Sequence, residues 1–395
     1  MDRWWVVGGR YGDMEDAHHW LRRTVRRYVD RLIGAGADSA TLPVSVAPQA
    51  GLVPHLLARC QALGCAESYL QLLHHFAPFL ERHIPLGQLD QYVATALTYD
   101  GLSAEQRVAF ASLRLRLLTQ LGEHERAQAV LDETWADAQV DPHLLAELYI
   151  RQGVLSVSFG DYVAGEQAYE QGLALAQAHG DLARMSIIFN NRGNMAYALD
   201  RYTEAVDYYR QALEVAELLP DPIHRARAEG GLAMTLDELG RYQEAEQHYH
   251  AARQAAEAAT DHYSLLSIEL NMSHHAFLIE HYEEAKKRAG NALTLARRLG
   301  DWTRAGFALH NLGQACLGAG EYENASVHLR RALEQRLLLE KPLYIQTTVD
   351  VIKQLLDTVH ADPTLDPSMR ERIRQQCRQA LEAVGPASGA SDCPK

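Results

Sequence analysis

The sequence lacks the long apolar segments of membrane proteins and the paired cysteines of disulfide-rich secreted proteins. Its 395 residues contain no run of about 18 apolar residues, which a membrane-spanning helix needs. The N-terminal segment, MDRWWVVGGRYGD, lacks the apolar core and small-residue cleavage site of a signal peptide. The five cysteines are odd in number and irregularly spaced, as in proteins with reduced thiols. We therefore expect a cytoplasmic protein without a disulfide framework.

Sequence motifs of the common catalytic and metal sites are also missing. The dipeptide Gly-Lys does not occur, so no phosphate-binding loop of the form GxxxxGK[ST] is present. No G-x-S-x-G, H-E-x-x-H or EF-hand loop occurs either. Cys60 and Cys65 form an isolated C-x4-C pair, and the histidine pairs are adjacent, so that on a helix two neighbours point about 100° apart. We expect no enzyme activity, no cofactor and no metal.

The charge balance is acidic. The chain has 38 lysines and arginines against 51 aspartates and glutamates, a formal net charge of -13. Nucleic acid as the main partner is disfavoured, because its binding needs phosphate-neutralising cations. With 47% hydrophobic and 23% charged residues, the composition is that of an ordinary soluble protein.

A tyrosine recurs every 40 residues, and small residues recur in register with it. The small residues lie nine residues before, three after and ten after each tyrosine. A fixed period with fixed internal spacing indicates a repeat array. The tyrosines, called the turn tyrosines below, are Tyr162, Tyr202, Tyr242, Tyr282 and Tyr322.

Forty residues accommodate two helices of roughly 17–18 residues, each about 27 Å long, with two short turns. We call them helix A and helix B. An aspartate at the start of most units predicts an N-cap for helix A. The small residues mark where the two helices cross, and the turn tyrosine is expected to fill the wedge between them. Because each pair leaves an apolar face for its neighbour, the pairs should stack into an all-α, right-handed superhelical solenoid. The aspartates are Asp141, Asp181, Asp221, Asp261 and Asp301.

The pattern resembles the tetratricopeptide repeat (TPR). The best-matching stretch is NNRGNMAYALDRYTEAVDYYRQALEVAELL, residues 190–219. The 40-residue length is similar to the long repeats of kinesin light chains, LGN-type adaptors, Rap-type regulators and the sensor arms of STAND ATPases. The resemblance is strong over residues 141–340 and weaker over 103–140.

The chain divides by pattern into five parts. Residues 1–51 form an N-terminal extension with an arginine-rich helix at 14–33 and a linker at 34–51. Residues 52–102 are divergent helical hairpins, in which Pro78 should kink or split a helix. Residues 103–340 form the TPR array of about six repeats, beginning at a capping box of Ser103 and Gln106. Residues 341–384 are C-terminal capping helices, and 385–395 form a disordered tail.

The TPR resemblance implies that helix A lines the concave groove. Asparagines recur there eleven residues before the turn tyrosine, although asparagine is mildly unfavourable inside a helix. In peptide-binding TPRs this column holds the ligand backbone, whereas the alternative is that these side chains fix the stacking of repeats. Gly230 and Gly231 interrupt the column and should expose main chain in the groove. The candidate binding residues are Arg151, Asn190, Asn191, Asn194, Tyr197, Arg227, Met234, Asn271, His274, Phe277, Phe307, His310, Asn311 and Gln314.

The resulting hypothesis is a non-catalytic scaffold or adaptor that binds a peptide or helix of a partner protein in the TPR groove. The alternative is a signal-responsive regulator, either Rap-like or a STAND sensor arm acting in trans, that changes conformation on binding. The expected partner is a protein or peptide, with neither a membrane nor nucleic acid as main partner. Self-association into a homo-oligomer stays open, as does binding of the chain's own N-terminal segment.

Overall fold

The computed structural model describes residues 14–35, 52–84, 86–138, 141–338 and 342–384. These residues form eighteen helices and no strand, so the all-α prediction is confirmed. The expectations for residues 1–13, most of the linker and the tail 385–395 lie outside the described residues. The chain divides into two compact units, unit 1 up to Asp181 and unit 2 from Leu182. The division into five parts drawn from the sequence stays a prediction.

The described residues of unit 1 form eight helices. The described residues between 52 and 102, expected to be helical hairpins, form three of these helices. The capping box is also present, because the Ser103 hydroxyl accepts from the Gln106 amide and the Gln106 side chain bonds back to Ser103. The bounds are α1 Met14–Ala35, α2 Val53–Ala62, α3 Ala66–His83, α4 Leu86–Leu97, α5 Ala104–Leu121, α6 His124–Ala138, α7 Pro142–Ser158 and α8 Tyr162–Ala178.

The arginine-rich helix α1 packs against the hairpins through its apolar face. Val25 and Val29 are buried in a core shared with α2, α3, α4 and α5. Of its arginines, Arg22 donates from Nε to the Leu63 carbonyl at 2.7 Å, and Arg26 forms an exposed ion pair with Glu67. The helix is therefore fixed to unit 1 by its valines and by one charged hydrogen bond.

Of the two outcomes expected at Pro78, the split of a helix is wrong, and the kink stays a prediction. Helix α3 continues from Ala66 to His83 through this position. Proline removes one hydrogen bond, but Phe76 and Leu80 on either side are buried in the same core. Their shared packing holds the two parts of the helix together.

Ten helices are described in unit 2, arranged as four A–B pairs followed by two further helices. Each turn tyrosine is the first residue of a helix B, so the 40-residue register predicts these helix starts correctly. The bounds are α9 Leu182–Ala198, α10 Tyr202–Ala216, α11 Ile223–Glu238, α12 Tyr242–Ala258, α13 His262–Leu278, α14 Tyr282–Leu299, α15 Trp302–Gly318, α16 Tyr322–Leu338, α17 Pro342–Ala361 and α18 Pro367–Glu382.

Four of the five periodic aspartates cap a helix A. Asp141, Asp221, Asp261 and Asp301 each accept a hydrogen bond from a main-chain amide two or three residues further on. Such a bond satisfies a helix amide that has no intrahelical partner. Asp181 contacts the His143 ring at 2.8 Å. The aspartate period is therefore mainly a capping pattern.

The rings that fill the space between helices A and B differ from the expected ones. The turn tyrosines are partly exposed, and Tyr242 keeps 38% of its surface. In three helices B the residue seven after the turn tyrosine is a fully buried ring, namely Tyr169, Tyr209 and Tyr249. A turn tyrosine begins helix B, whereas a residue two helical turns later faces the middle of helix A.

The small-residue columns are buried, as expected of positions where two helices approach closely. The three glycines nine before a turn tyrosine, Gly153, Gly193 and Gly313, lie against the side chain seven after it. A methyl group added to Gly153 would lie 2.4 Å from the Tyr169 ring, and one added to Gly313 would lie 2.5 Å from Leu329. Larger side chains at these positions would force the helices apart.

The prediction that Gly230 and Gly231 expose main chain in the groove is wrong. Gly230 is buried, and Gly231 lies against the ring of Tyr209, which belongs to the preceding pair. The same ring also contacts Gly193. The missing side chain at Gly231 thus makes room for a buried tyrosine of the neighbouring repeat.

Candidate functional site

A cavity of about 370 Å³ opens on helices A of unit 2. It joins side chains of α9, α11, α13 and α15 with one tyrosine of α12, so four consecutive pairs contribute to it. The lining combines apolar side chains with several polar ones that face the same space. The lining residues are Tyr197, Met234, Asp237, Glu238, Tyr249, Ser267, Leu270, Asn271, His274, Arg304, Phe307 and Asn311.

Six of the fourteen candidate residues line this cavity, and eight do not. Of the eight, Arg151 lies in unit 1, where its guanidinium is paired with Glu147 on the same helix at 2.7 Å. The six residues in the cavity are Tyr197, Met234, Asn271, His274, Phe307 and Asn311, and the other seven outside it are Asn190, Asn191, Asn194, Arg227, Phe277, His310 and Gln314.

The asparagines of the eleven-before column are not equivalent. Asn311 donates from Nδ2 to the main-chain carbonyl of Leu270 on the neighbouring helix A, at 3.1 Å. Within the described part of the chain, Asn191 and Asn271 make no hydrogen bond through their side chains. Asn311 therefore links two repeats, whereas the carboxamide of Asn271 faces the cavity without a protein partner.

Asn194 and Asn190 on α9 differ in the hydrogen bonds that their side chains make. Asn194 accepts a hydrogen bond from the Tyr209 hydroxyl at 2.7 Å, which fixes the buried ring. The Oδ1 atom of Asn190 is buried and has no hydrogen-bond partner among the described residues. The first side chain therefore supports packing, whereas the second leaves an acceptor unused.

His310 belongs to a buried junction between α15, α16 and α17 and does not line the cavity. It lies 3.4 Å from the Thr348 hydroxyl. Burial, together with the charge of Arg336, lowers the pKa of His310 to about 3. Arg336 is itself buried, with its guanidinium 4.9 Å from the Phe307 ring centre, and it donates to the Tyr344 carbonyl at 2.6 Å.

Two adjacent carboxylates, Asp237 and Glu238, lie at one side of the cavity, and each accepts hydrogen bonds from other side chains. Asp237 accepts from the Tyr249 hydroxyl at 2.9 Å and contacts the His275 ring nitrogen Nδ1 at 2.7 Å. Glu238 is exposed and accepts from the Tyr197 hydroxyl at 2.9 Å. Burial is the main cause that raises the pKa of both tyrosines above the ordinary value, so their hydroxyls stay protonated donors.

The candidate list omitted Asp237, Glu238, Tyr249 and Arg304. Asp237 and Glu238 lie five and four residues before Tyr242 on helix A, which the TPR resemblance assigns to the groove, so their sequence positions could have identified them. Tyr249 belongs to helix B, and Arg304 lies in the first turn of α15, away from the middle of helix A. Only the packing of four pairs brings them to the cavity.

His274 lies in the cavity next to these carboxylates. Burial lowers its pKa, and the charges of Asp237 and Glu238 oppose that shift without cancelling it. Its ring is stacked with that of Phe277, with centres 6.5 Å apart. The ring thus offers the cavity a flat, mainly uncharged surface.

The described helices provide neither a metal site nor a membrane span. Among the described residues, no group of three or more His, Cys, Asp or Glu side chains is placed to hold a metal ion. In the same part of the chain, no helix is long and apolar enough to cross a membrane.

Comparison with known proteins identifies the repeat. Residues 184–258 and 264–337 match the family model of the tetratricopeptide repeat. The chain thus carries tetratricopeptide repeats, which confirms the resemblance drawn from residues 190–219. Such repeats are protein-interaction modules, so in general terms this is an interaction scaffold or regulator. No curated protein matches the sequence significantly.

Solved structures share the fold at low sequence identity. A STAND protein with a tetratricopeptide repeat sensor from Pyrococcus horikoshii is 14% identical with a TM-score of 0.56, over 92% of this chain and 54% of that one. A Rap protein complexed with competence and sporulation factor is 14% identical with a TM-score of 0.51, over 81% and 96%. The human IFIT1 dimer with PPP-AAAA is 12% identical with a TM-score of 0.54, over 96% and 85%. These similarities show a tetratricopeptide-type solenoid.

Proposed function

We propose that this chain is a non-catalytic scaffold or adaptor whose unit 2 binds a peptide or helix of a partner protein. The observation that carries the proposal is Asn271, whose carboxamide faces the cavity without a hydrogen-bond partner among the described residues. A carboxamide offers a donor and an acceptor together, which matches the main chain of a peptide whatever its sequence.

The apolar part of the cavity supports the same proposal. Met234, Leu270 and Phe307 line it together and present their side chains to the same open space. Ligand pockets commonly combine such apolar walls with a few polar groups that fix orientation. A peptide could therefore bury a side chain there while its main chain bonds to Asn271.

The test is an affinity pull-down with the full chain from its native host, read by mass spectrometry. The double variant Asn191→Ala/Asn271→Ala should lose the specific partner, since it removes the two carboxamides of the eleven-before column that bond to no other described residue. Asn324→Ala is the matched control, because this asparagine is exposed on α16 and bonds to Glu321. Retention of the partner by the double variant would contradict the proposal.

A second candidate is a signal-responsive regulator. It is favoured by the fold shared with the Rap protein complexed with competence and sporulation factor, 96% of which this chain covers. The candidate predicts that a bound peptide changes the radius of gyration measured by solution X-ray scattering. An unchanged scattering profile with the peptide bound would leave the adaptor as the better description. The same measurement at several concentrations would detect a homo-oligomer.

A further inference from the structure

The buried carboxylates of the described residues are neutralised in two different ways. Four are buried, and three of them have an arginine within ion-pair distance. Asp90 pairs with Arg114 and Arg126, Glu229 with Arg225, and Glu269 with Arg253 and Arg288. Because removing a carboxylate from water is costly without a compensating charge, an internal arginine is the rule in this fold.

Asp237 is the exception. It is 5% exposed, yet within the described part of the chain it forms no ion pair with lysine or arginine. Its partners are the Tyr249 hydroxyl and the His275 ring, which is charged only when protonated. It is also the one among the four that lines the cavity.

Glu238, the next residue, is a second carboxylate in the lining without an arginine or lysine partner among the described residues. Glu238 accepts one hydrogen bond from Tyr197 through Oε1, and no cation among the described residues pairs with its carboxylate. Arg304, the only lysine or arginine among the lining residues, donates to Asp301 at 2.6 Å. The cavity therefore has two carboxylates on one side without a fixed cation to balance them.

The rest of the cavity suits a long side chain with an apolar stem. Its lining includes the apolar side chains of Met234, Leu270 and Phe307. The Glu238 carboxylate already accepts one hydrogen bond, from the Tyr197 hydroxyl. Lysine and arginine bury their methylene stems against apolar surfaces while the charged end reaches a polar partner. Such a side chain would supply the cation that the other buried carboxylates receive from within the protein.

We propose that this cavity takes a lysine or arginine side chain of the bound peptide, with its charged end at Glu238 and Asp237. The inference rests on the proposed function, and it adds the chemical class of the ligand. Peptides without a basic residue at the matching position should bind more weakly, because a charge-assisted hydrogen bond is lost.

Selection from a random peptide library displayed on phage, with the full chain immobilised, tests the inference. Peptides selected on the wild-type chain should carry lysine or arginine at one fixed position. Replacing that residue by norleucine keeps the apolar stem and should weaken binding roughly tenfold. On the Glu238→Gln variant the basic preference should fall, while apolar preferences at other positions persist. Glu246→Gln, which removes the same charge from an exposed site on α12, is the matched control.

The outcomes separate this inference from the proposed function. Selected peptides that depend on Asn271 but show no basic preference would overturn the basic-residue inference and leave peptide binding intact. An acidic preference, or an unchanged profile on Glu238→Gln, would overturn it as well. If no peptide is enriched over the bare support, both the inference and the proposed function fail. Because Glu238 is exposed, we expect Glu238→Gln to fold like the wild-type chain, so that a changed peptide preference reports on binding.

Discussion

The ring of Tyr209 lies so close to Gly231 that a methyl group added to this glycine would come within 2.3 Å of it. Gly231 belongs to α11, whereas Tyr209 belongs to the preceding pair. The contact therefore joins two repeats, and it explains a glycine in the middle of a helix, where glycine is normally unfavourable. The adjacent Gly230 is different, because its nearest neighbour would be Ile268 at 3.7 Å, an ordinary contact.

The two glycines should thus respond oppositely to alanine. Gly231→Ala should lower the free energy of unfolding by about 2 kcal/mol, since the buried ring must move. Gly230→Ala should raise it by roughly 0.5–1 kcal/mol, because alanine favours the helix and has room. Urea unfolding followed by circular dichroism measures both. Equal effects of the two substitutions would show that Tyr209 is not held as described.

Glu269 connects two consecutive pairs of unit 2, because it contacts Arg253 on α12 and Arg288 on α14. Glu269→Gln should lower the free energy of unfolding by about 2–3 kcal/mol, since it leaves these arginines without their buried carboxylate. The control is Glu257→Gln, which removes a half-exposed partner of Arg253 and should cost less than about 1 kcal/mol. Thermal or urea unfolding of both variants provides the comparison, and similar losses would contradict the assigned difference.

Glu280 adopts the left-handed conformation, with φ at 59°, where Gly160, Gly240 and Gly320 occupy the equivalent turns. Because a side chain strains this conformation, Glu280→Gly should stabilise unit 2 by roughly 0.5–1 kcal/mol, after the entropy lost by glycine is subtracted. As control, Glu283→Gly places glycine in the first turn of α14 and should destabilise by up to about 1 kcal/mol. The midpoints of chemical unfolding should shift in opposite directions.

His310 should make stability fall as the pH is lowered. Its pKa is lowered to about 3 in the folded protein by burial and by Arg336, with His274 adding to the shift. Between the ordinary value of 6.5 and about 3, the unfolded chain binds a proton that the folded chain does not. This site therefore favours unfolding by up to about 1.4 kcal/mol per pH unit in that range.

The measurement is the free energy of unfolding from about pH 7 to pH 5, where this site begins to contribute. His310→Gln should reduce the slope with pH, because no proton can then be taken up at this position. His281→Gln changes an exposed histidine at a turn, and it should keep the wild-type slope. If His310→Gln also keeps that slope, folded and unfolded chains take up the proton at His310 over the same pH range, and the lowered pKa is contradicted.

Local sequence signals account for most of the helices. The turn tyrosines give the starts of helices B, and aspartates such as Asp261 give caps, because both depend on neighbours within a few residues. The candidate site was predicted only in part. Tyr197 and Asn271 line the cavity, whereas His310 is buried against Arg336 on a helix B.

The sequence by itself determined the repeat, its period, the all-α class and the small residues where helices cross, because these features recur in a fixed local pattern. Only the tertiary structure decided which polar groups are satisfied within the protein. Asn311 bonds to Leu270, 41 residues away, whereas Asn271 in the same column has no side-chain hydrogen bond to another described residue. Among the described residues, Asp237 contacts His275 and no arginine, although the other buried carboxylates each pair with an arginine. Such differences depend on side-chain reach between stacked helices, which a single period in the sequence does not encode.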